Sequence, residues 1–421
     1  MSNYVKLLDI VSQITSGATP ESGSARYYTE DDGIKFAKTE DLSASKSRYI
    51  EETDLKVKEI ALRETSLKIY PKDTILVSMY GTIGLTKIVK EPLAANQALC
   101  ALIPPFKCDI EYLYYYLTSL KSEWTRLSAQ TTQANINGEI VKNKEIWLPE
   151  LSKQKEIAKI LTKIDGCIET SNSTLDKLQN IKAGLLNDLL TRGVDSQGNL
   201  RPGYEDAPDL YQETGLGFIP KEWEICGLHD IQRADKPVLK TGPFGSALKS
   251  EHWRESGHPV ITIGSLGVNT IIESELLYID DLTFNGLSTY LVEGGDIIFS
   301  RVADVGRCLI VQEHHKDWVM SSNLMRISVD KKIFKPELLT FILSSSSSLR
   351  KQIRKLVNSA GRDVANGEVL MKLKFAKPPV EEQVKIINIV ERMNMAIDQE
   401  LEQLNKLSNI KTGLLKDLLQ N

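Results

Sequence analysis

Several short motifs in this chain contain residue types that catalytic and metal sites use, but each departs from the spacing such chemistry requires. Gly81-Thr82-Ile83-Gly84 lacks the lysine that a phosphate-binding loop places after its glycines. His314-His315 lacks the i, i+4 spacing of a zinc-binding helix, and its polar neighbours predict a solvated turn. The proline pairs Pro104-Pro105 and Pro378-Pro379 lack the flanking residues of a methyl-transfer motif. The sequence therefore favours a binding protein over an enzyme.

Neither the acidic residues nor the cysteines predict a metal site. The acidic pairs Asp31-Asp32, Asp280-Asp281 and Glu381-Glu382 are more typical of surface or helix-start charge than of metal ligands. The five cysteines are odd in number and contain no Cys-x-x-Cys pair: Cys100, Cys108, Cys167, Cys226 and Cys308. Scattered cysteines are typical of a reducing compartment. We expect a cytoplasmic protein with no metal and no cofactor of its own.

Length, composition and charge limit the class of protein. With 421 residues the chain is long enough for two or more domains, and 41% hydrophobic and 26% charged residues are ordinary for a globular protein. No apolar run approaches the roughly 20 residues of a membrane span, and residues 1–10 do not resemble a signal peptide. The net charge of −4, from 52 basic and 56 acidic residues, weakens an expectation of nucleic-acid binding. That expectation holds only if basic residues gather on one face or a partner supplies contacts.

The chain contains one long internal repeat. Residues 149–190 align without a gap with residues 378–419 at a constant offset of 229 positions. Identical residues occur at matched positions: Gln154 and Gln383, Asn180-Ile181-Lys182 and Asn409-Ile410-Lys411, Gly184-Leu185-Leu186 and Gly413-Leu414-Leu415, and, upstream, Asn137-Gly138-Glu139 and Asn366-Gly367-Glu368. Since chance does not keep one offset through so many identities, we expect the two copies to share one structure.

Each copy has the alternating four-and-three spacing of apolar residues that predicts the seam of a coiled coil. The seam positions are Ile157, Leu161, Ile164, Ile168, Leu175, Leu178, Leu185 and Leu189, then Ile386, Val390, Met393, Ile397, Leu404, Leu407, Leu414 and Leu418. Polar residues interrupt both copies at equivalent places, Ser171 with Glu400 and Lys182 with Lys411. A lone helix of this kind usually indicates a dimerisation coiled coil or a surface helix. Two copies with matched interruptions instead predict antiparallel pairing within one chain, about a pseudo-twofold axis.

The remaining sequence forms two globular blocks that differ in sequence. Strand-like runs cover residues 74–77, 98–103, 260–263, 296–299 and 308–311, and helical stretches cover 110–127 and 336–356. The blocks resemble each other weakly, as in Asp73–Ser78 against Asp296–Ser300. The predicted boundaries are 1–148 for the first block, 149–192 for a spacer helix, 193–214 for a linker, 215–377 for the second block and 378–421 for the second spacer helix. The predicted fold class is α+β, with two mixed α/β blocks separated by two long antiparallel coiled-coil helices.

With these motifs in place, the chain resembles the specificity subunits of Type I restriction–modification systems over nearly its whole length. The resemblance is strongest in the duplicated helices, which begin with Pro-x-x-x-x-Gln and end with Gly-Leu-Leu-x-Asp-Leu-Leu. The segment from Arg192 to Trp223, with its Ile219-Pro220-x-x-Trp223 motif, is similar to the connector between repeats in that family. Ile14–Pro20 and Gly242–Ser246 are similar to the openings of its target-recognition domains.

The resemblance implies that each block is a target-recognition domain for one half of a bipartite, asymmetric sequence in double-stranded DNA. It implies that the helices set the spacing and bind two methyltransferase (M) subunits, and that restriction (R) subunits then join. The methyltransferase would bind S-adenosylmethionine, and this chain would catalyse nothing and meet no membrane. Two alternatives stay open: a specificity subunit for a fused, Type IIB-like restriction–methyltransferase enzyme, and a protein-interaction scaffold that does not bind DNA.

Polar residues in turns that follow strands are the candidate DNA contacts. They are Lys38, Thr39, Ser78, Tyr80, Gly81, Thr82, Asn96 and Gln97 in the first block, and Lys240, Thr241, Phe244, Ser246, Arg301, Asp304, Arg307, Ser322 and Asn323 in the second. Asn and Gln suit adenine, Arg suits guanine, and Lys suits phosphates. Since half-sites in this family usually carry a methylated adenine, Asn96, Gln97 and Asn323 are the first candidates. Asn96 and Asn323 could instead cap turns, and Arg301 could pair with a carboxylate. The four tyrosines of residues 112–116 are expected in the core.

Overall fold

A computed structural model describes residues 4–128, 135–244, 247–267, 270–301, 307–360 (backbone only from 357) and 366–419. The chain divides into two compact units. Unit 1 comprises residues 1–176 and 399–421, and unit 2 comprises residues 177–398. Each unit therefore contains one globular block together with part of each long helix.

Unit 1 is built on short strands with helices on their flanks. Its strands are β1 (Tyr4–Lys6), β2 (Gln13–Ser16), β3 (Tyr28–Thr29), β4 (Ile34–Ala37), β5 (Tyr49–Ile50), β6 (Leu55–Val57), β7 (Ile69–Tyr70), β8 (Ile75–Ser78), β9 (Thr86–Val89), β10 (Leu93–Ala95), β11 (Leu99–Ile103) and β12 (Glu145–Trp147). Its helices are α1 (Leu7–Ile10), α2 (Thr39–Ala44), α3 (Glu59–Glu64), α4 (Ile110–Ser119), α5 (Lys121–Ser128), α6 (Gly138–Asn143) and the first part of α7 (Leu151–Thr191).

The strands of unit 1 form two five-stranded sheets and a small pair. One sheet has the order β2-β11-β8-β9-β5, the other has the order β3-β6-β4-β10-β7, and β1 pairs with β12. Strand β8 is buried along its whole length. A continuous apolar run between two turns is typical of such a central strand. In the second sheet β4 and β10 run parallel, so their carboxyl ends lie side by side.

Among the described residues, unit 2 has fewer strands and more single-turn helices than unit 1. Its strands are β13 (Tyr211–Thr214), β14 (Gly217–Pro220), β15 (Glu224–Cys226), β16 (Leu239–Thr241), β17 (His258–Ile261), β18 (Leu277–Ile279), β19 (Ile297–Ser300), β20 (Cys308–Ile310), β21 (Val319–Met320), β22 (Leu324–Ile327) and β23 (Phe375–Lys377). Its helices are α8 (Asp281–Asn285), α9 (Pro336–Ser345), α10 (Ser347–Ala360), α11 (Gly367–Met371) and most of the first half of α12 (Val380–Leu419). Short 3-10 helices cover Pro208–Leu210, Leu228–Ile231, Ser250–His252, Glu273–Glu275, Ser288–Tyr290 and Glu313–His315.

The two units share one arrangement of strands. The sheet β16-β22-β19-β20 of unit 2 repeats the order β2-β11-β8-β9 of unit 1. The sheet β18-β17-β21 repeats β6-β4-β10, including its parallel central pair. The weak sequence similarity between Asp73–Ser78 and Asp296–Ser300 falls on β8 and β19, which hold the same place in the two sheets. A common framework therefore underlies two blocks of different sequence.

The long helices pair antiparallel inside each unit, as the sequence predicts. In unit 1 the Asp165 carboxylate lies 2.6 Å from Lys411 Nζ, and further along α7 the Ser171 hydroxyl donates to the Glu400 carboxylate. In unit 2, Leu186 and Leu189 share a buried cluster with Ile386, Ile387 and Val390. Of the sixteen seam positions, six are buried and the other ten are half-buried: the buried ones are Ile157, Leu161, Leu189, Ile386, Val390 and Ile397.

The repeated glutamine at the start of each long helix has a structural role. Gln154 Oε1 accepts from the Asp109 N–H at 2.8 Å, and Gln154 Nε2 donates to the Pro149 carbonyl at 2.7 Å. Gln383 does the same with the Lys335 N–H at 2.8 Å and the Pro378 carbonyl at 2.9 Å. Both side chains are buried. Each glutamine thus joins the first turn of a long helix to the residue that precedes α4 or α9.

The predicted helical stretches 110–127 and 336–356 are helical, and each consists of two helices, with breaks at Leu120 and Ser346. Ser346 begins a new helix because its hydroxyl accepts from the Leu349 N–H at 3.3 Å, a capping bond that serine favours. The tyrosines of α4 are in the core, as predicted.

Residues 193–214, predicted to be a linker, are folded against the rest of unit 2. Arg201 is buried, and its guanidinium binds the buried Glu382 carboxylate, with one contact of 3.0 Å from Nη2. Glu382 also accepts from Trp223 Nε1 at 3.0 Å and from the Val194 N–H at 2.8 Å. The connector is therefore fixed to the first turn of α12.

Candidate nucleic-acid interface

Three turns of unit 1 meet at the end of the parallel pair β4 and β10. The Asn96 N–H donates to the Ala37 carbonyl at 3.0 Å, which joins the turn after β10 to the turn after β4. The Met79 N–H donates to the Ala98 carbonyl at 2.7 Å, which brings in the turn after β8. We call the residues presented there turn cluster 1: Lys38, Thr39, Tyr80, Gly81, Thr82, Asn96 and Gln97.

The equivalent turns of unit 2 have the same hydrogen bonds. The Ser321 N–H donates to the Ile261 carbonyl at 2.9 Å, and the Arg301 N–H donates to the Asn323 carbonyl at 3.2 Å. These bonds match those of Asn96 and Met79 in unit 1. We call the residues presented there turn cluster 2: Thr241, Phe244, Thr262, Arg301, Ser322 and Asn323. Predicted candidates from separate parts of the sequence therefore meet in each unit.

A glycine allows the close approach of one more turn in each unit. Any side chain on Gly17 would collide with the carbonyl oxygen of Asn96, and any side chain on Gly242 would collide with that of Ser321. The Gly17 and Gly242 N–H groups donate to the Leu99 and Leu324 carbonyls at 3.0 and 2.9 Å. The glycines of the two opening motifs are thus explained by packing.

Within turn cluster 1, the candidates separate into residues that build the turns and residues that face outward. Ser78 lies just outside the cluster and is buried, and its hydroxyl donates to the Thr82 carbonyl at 2.5 Å. Asn96 Oδ1 accepts from the Ala98 N–H at 3.2 Å, which is the turn-capping bond considered above. Tyr80, Thr82 and Gln97 are exposed. Ser78 therefore has a structural role, and the exposed side chains are the ones available to a ligand.

Lys38, Thr39 and Gly81 complete cluster 1. Lys38 is half-buried, with Nζ 3.9 Å from the Asp54 carboxylate, and its N–H donates to Asp41 Oδ2 at 2.7 Å. Thr39 begins α2 and lies near Gly81, whose φ of +69° is the left-handed conformation that glycine adopts without strain.

Within turn cluster 2, the half-buried Arg301 lies beside the exposed ring of Phe244. The Arg301 guanidinium lies 5.3 Å from the centroid of the Phe244 ring, and the Phe244 side chain is 63% exposed. Arg301 Nε is buried and has no hydrogen-bond partner among the described residues. No ion pair of Arg301 with a carboxylate occurs within the described ranges either, which leaves its guanidinium available. Ser322 is half-buried and Asn323 is exposed.

The other candidates of unit 2 are placed differently. Lys240 lies in β16, next to Thr241 of the cluster, and its Nζ lies 5.0 Å from the centroid of the Tyr290 ring. The Arg307 guanidinium donates to the Leu266 carbonyl, so this arginine holds two segments of its own unit together. Ser246 and Asp304 lie outside the described residues.

Comparison with known proteins gives the family. The sequence model of the Type I restriction modification DNA specificity domain matches residues 2–180 and 220–410. The chain belongs to this family. The two matched regions cover the two blocks and most of both long helices, so the internal repeat is a repeat of the specificity domain.

Named relatives agree with this assignment. The MjaIX specificity subunit of Methanocaldococcus jannaschii is 28% identical over 300 residues, which cover 70% of this chain and 65% of that protein. The EcoKI specificity subunit of Escherichia coli is 21% identical over 426 residues, which cover 96% of this chain and 86% of that protein. The chain thus matches just under two thirds of the first relative and most of the second.

Solved structures show the same fold. The S subunit of a Type I restriction–modification system from M. genitalium superposes with a TM-score of 0.53 at 18% identity, covering 99% of this chain and 96% of that one. A structure that describes assembly and conformational transition of the type I R-M system gives a TM-score of 0.56 at 14% identity, covering 99% and 97%. At these identities the comparison supports the specificity-subunit fold, and function has to be argued from the site.

Sequence reasoning missed part of turn cluster 2. Thr262 follows β17 as Lys38 follows β4, but the sequence predicts a strand over residues 260–263. The strand ends at Ile261, and the Thr262 N–H donates to the Ser265 hydroxyl at 2.9 Å, as the Lys38 N–H does to Asp41. Gly264 followed by Ser265 was the available signal for a turn.

The expected solvated turn at His314-His315 is wrong for His315. Its side chain is buried against Trp318, with ring centroids 4.5 Å apart, and burial lowers its pKa. Glu273, His314 and His315 have possible ligand atoms within 4.8 Å of one another. His315 Nδ1, however, accepts from the Gln312 N–H at 3.3 Å, which leaves the proton on Nε2 in the neutral ring. Because a metal would have to displace that bond, we assign none to this group.

Four of the five cysteines are not reactive thiols, and the fifth, Cys167, is exposed. Burial raises the pKa of the Cys100, Cys108, Cys226 and Cys308 thiols to about 12, so each stays protonated near neutral pH. Of the helices within the described ranges, none is long and apolar enough to cross a membrane.

Proposed function

We propose that this chain is the DNA-recognition subunit of a Type I restriction–modification enzyme, with each unit recognising one half of a split, asymmetric target. One observation carries the proposal. The two units present their turns on the same framework and with the same backbone hydrogen bonds, yet with different side chains. Asn96 and Gln97 stand in unit 1 where Ser321 and Ser322 stand in unit 2, so one scaffold recognises two different sequences.

The chemistry of the turn clusters suits base edges. Asn96 and Gln97 carry the amide that can bond both to N6 and to N7 of adenine, and Arg301 carries the fork that suits O6 and N7 of guanine. Exposed Tyr80 and Phe244 supply flat apolar surface, for contact with thymine methyl groups or sugars. Asn323, on the same rim as Arg301, is the second adenine candidate.

The long helices would set the spacing and bind two methyltransferase subunits. Helix α7 contains 41 residues, about 60 Å of helix. Ile181 and Ile410 occupy matched positions of the repeat and are 55% and 50% exposed. Since an exposed apolar residue kept in both copies is explained by contact with the same partner twice, this supports docking of two identical subunits. Those subunits would bind S-adenosylmethionine and carry the catalytic groups, restriction subunits would join them in the cytoplasm, and this chain would itself be non-catalytic.

Selection of bound DNA tests the proposal. The chain, assembled with its methyltransferase, is incubated with duplexes of random sequence, and the bound pool is sequenced. The proposal predicts two short enriched motifs separated by a gap of constant length and unspecified sequence. A pool with no enrichment would favour the protein-interaction scaffold, and one continuous motif would contradict recognition by two separate units.

A further inference from the structure

Helix α10 of unit 2 has one face that carries only positive charge. Arg350, Lys351, Arg354 and Lys355 are all exposed, whereas Leu349 and Ile353 are buried. At 100° per residue the four cations fall on one side of the helix, opposite the two apolar residues. The helix contains no aspartate or glutamate.

Among the described residues, no carboxylate lies within ion-pairing distance of any of the four cations, although acidic residues outnumber basic ones in the chain by 56 to 52. The Arg350 guanidinium donates to the Ser344 carbonyl at 2.5 Å, a bond that does not neutralise its charge. In unit 1 the equivalent helix α5 differs, because it has two exposed cations, Lys121 and Arg126, and an acidic residue, Glu123.

The charged face lies close to turn cluster 2. Helix α10 ends at Ala360, and α11 begins at Gly367, where a side chain would lie 3.9 Å from the Thr241 hydroxyl. Helix α10 also packs against α11, and α11 packs against β16, the strand that ends at Thr241. One short helix therefore separates the charged helix from the strand that ends in the cluster.

We propose that the exposed face of α10 holds the sugar–phosphate backbone of double-stranded DNA beside the half-site that unit 2 recognises. This proposal rests on the proposed function. It adds the location of the sequence-independent contacts to DNA. It also explains how a chain of negative net charge can bind DNA, because the phosphate contacts are concentrated on one helix. Unit 2 then contributes more of the salt-dependent affinity than unit 1.

The salt dependence of DNA binding tests this directly. The assembly with the methyltransferase is titrated with a fluorescent duplex that carries the selected target, and with one that lacks it, from 50 to 300 mM KCl. The variant R354Q/K355Q removes two phosphate contacts and should reduce the slope of log K against log [salt] by about 1.8 for both duplexes. R350Q/K351Q should act in the same way.

The matched control is K331Q/K332Q, which removes the same charge. Lys331 and Lys332 are exposed beside Gly294, at the end of β19 remote from Arg301. The control should keep the wild-type slope. Equal slopes for wild type and both α10 variants would overturn the proposal, as would loss of methyltransferase from the α10 variants, which would identify the face as a protein-binding surface. If the wild-type assembly binds no DNA at low salt, the proposed function itself fails.

Discussion

Asn96 is the residue at which turn capping and base recognition can be separated. Its Oδ1 accepts from the Ala98 N–H and can also accept from adenine N6, whereas the amide nitrogen supplies the second bond of the pair, to N7. The change Asn96→Asp keeps the capping oxygen and removes the amide donor. We expect an unchanged melting temperature and loss of adenine preference at one position of one half-site, worth about 1–3 kcal/mol, measured by competition between target and substituted duplexes.

Asn96→Ala is the control, because it removes the cap as well. It should lower the melting temperature and also weaken recognition. If Asn96→Asp keeps the base preference in full, Asn96 is a turn residue only, and adenine recognition must be sought at Gln97.

Lys87 gives unit 1 a pH-dependent stability. Its Nζ donates to the carbonyls of Ser45, at 2.7 Å, and Ser47. Burial, and then the charge of Lys411, lower the pKa of Lys87 to about 8, against the partly opposing effect of Asp165 and Glu169. Between about pH 8 and 10.5 the unfolded chain therefore binds more protons than the folded one at this site, so stability rises with pH.

The measurement is urea unfolding of wild type and of Lys87→Met from pH 7 to 10.5. Subtracting the variant's curve cancels the other groups that titrate there. The wild-type free energy of unfolding should increase relative to that of Lys87→Met as the pH rises through 8. A constant difference would show that Lys87 keeps an ordinary pKa.

At the scale of elements, the glutamine at the start of each long helix makes hydrogen bonds whose contribution to stability can be measured. Gln383→Ala leaves the Lys335 N–H and the Pro378 carbonyl without their partner in a buried place. Each unsatisfied group costs about 1–3 kcal/mol, so we expect a loss of roughly 2–4 kcal/mol of unfolding free energy, measured in urea. Gln383→Leu refills the volume but leaves the same two groups unpaired, so it should lose nearly as much. A Gln383→Leu variant as stable as wild type would mean that these bonds do not matter.

Equivalent seam positions of the two repeat copies hold different polar residues. In unit 1, Asp165 pairs with Lys411 and also accepts from the Tyr115 hydroxyl at 2.8 Å. The repeat places Lys182 and Asn394 at the equivalent positions of unit 2, where Asn394 Oδ1 is buried without a partner among the described residues. Unit 1 thus has an ion pair where unit 2 has an amide.

We expect Asp165→Asn to destabilise the protein by about 3 kcal/mol, since it leaves Lys411 without its counter-ion in a largely buried site. Thermal unfolding and urea titration measure the loss. The double variant D165N/K411M should recover part of it, because the uncompensated charge is removed. A double variant less stable than the single one would contradict this account of the seam.

The sequence predicted helices and strands well where apolar residues recur periodically, and it predicted their ends less well. The seam and the antiparallel pairing follow from spacing and from matched interruptions such as Ser171 and Glu400, which bond to each other. The breaks at Leu120 and Ser346, and the early end of β17 at Ile261, depend on single hydrogen bonds that periodicity does not report. The contacts of Gln154 and Glu382 are with residues far away in sequence, so the repeat marked their importance without giving their partners.

The site could be predicted only in outline. Strand ends pointed to the turns that meet in the two clusters, because parallel strands such as β4 and β10 place their carboxyl ends together. Which side chains face outward depends on capping bonds within the turns. Ser78 donates to a carbonyl of its own turn and Arg307 to a carbonyl of another segment, whereas Arg301 Nε has no partner among the described residues, and the sequence does not report these contacts.

At the scale of the whole molecule, the proposed function requires two recognition units that act at a distance set by the paired helices. Since α7 and α12 contain 41 and 40 residues and pair antiparallel inside each unit, a change in their length should change the distance between half-sites and nothing else. The bonded residues Ser171 and Glu400 mark matched points in the two helices.

The decisive measurement is DNA selection by a variant with one heptad inserted after Ser171 and one after Glu400, in assembly with the methyltransferase. Seven residues keep the seam in register and add about 10.5 Å, or about three base pairs. We expect the same two half-site sequences as for wild type, with the gap lengthened by about three base pairs. A variant that binds with an unchanged gap would contradict the claim that the helices set the spacing.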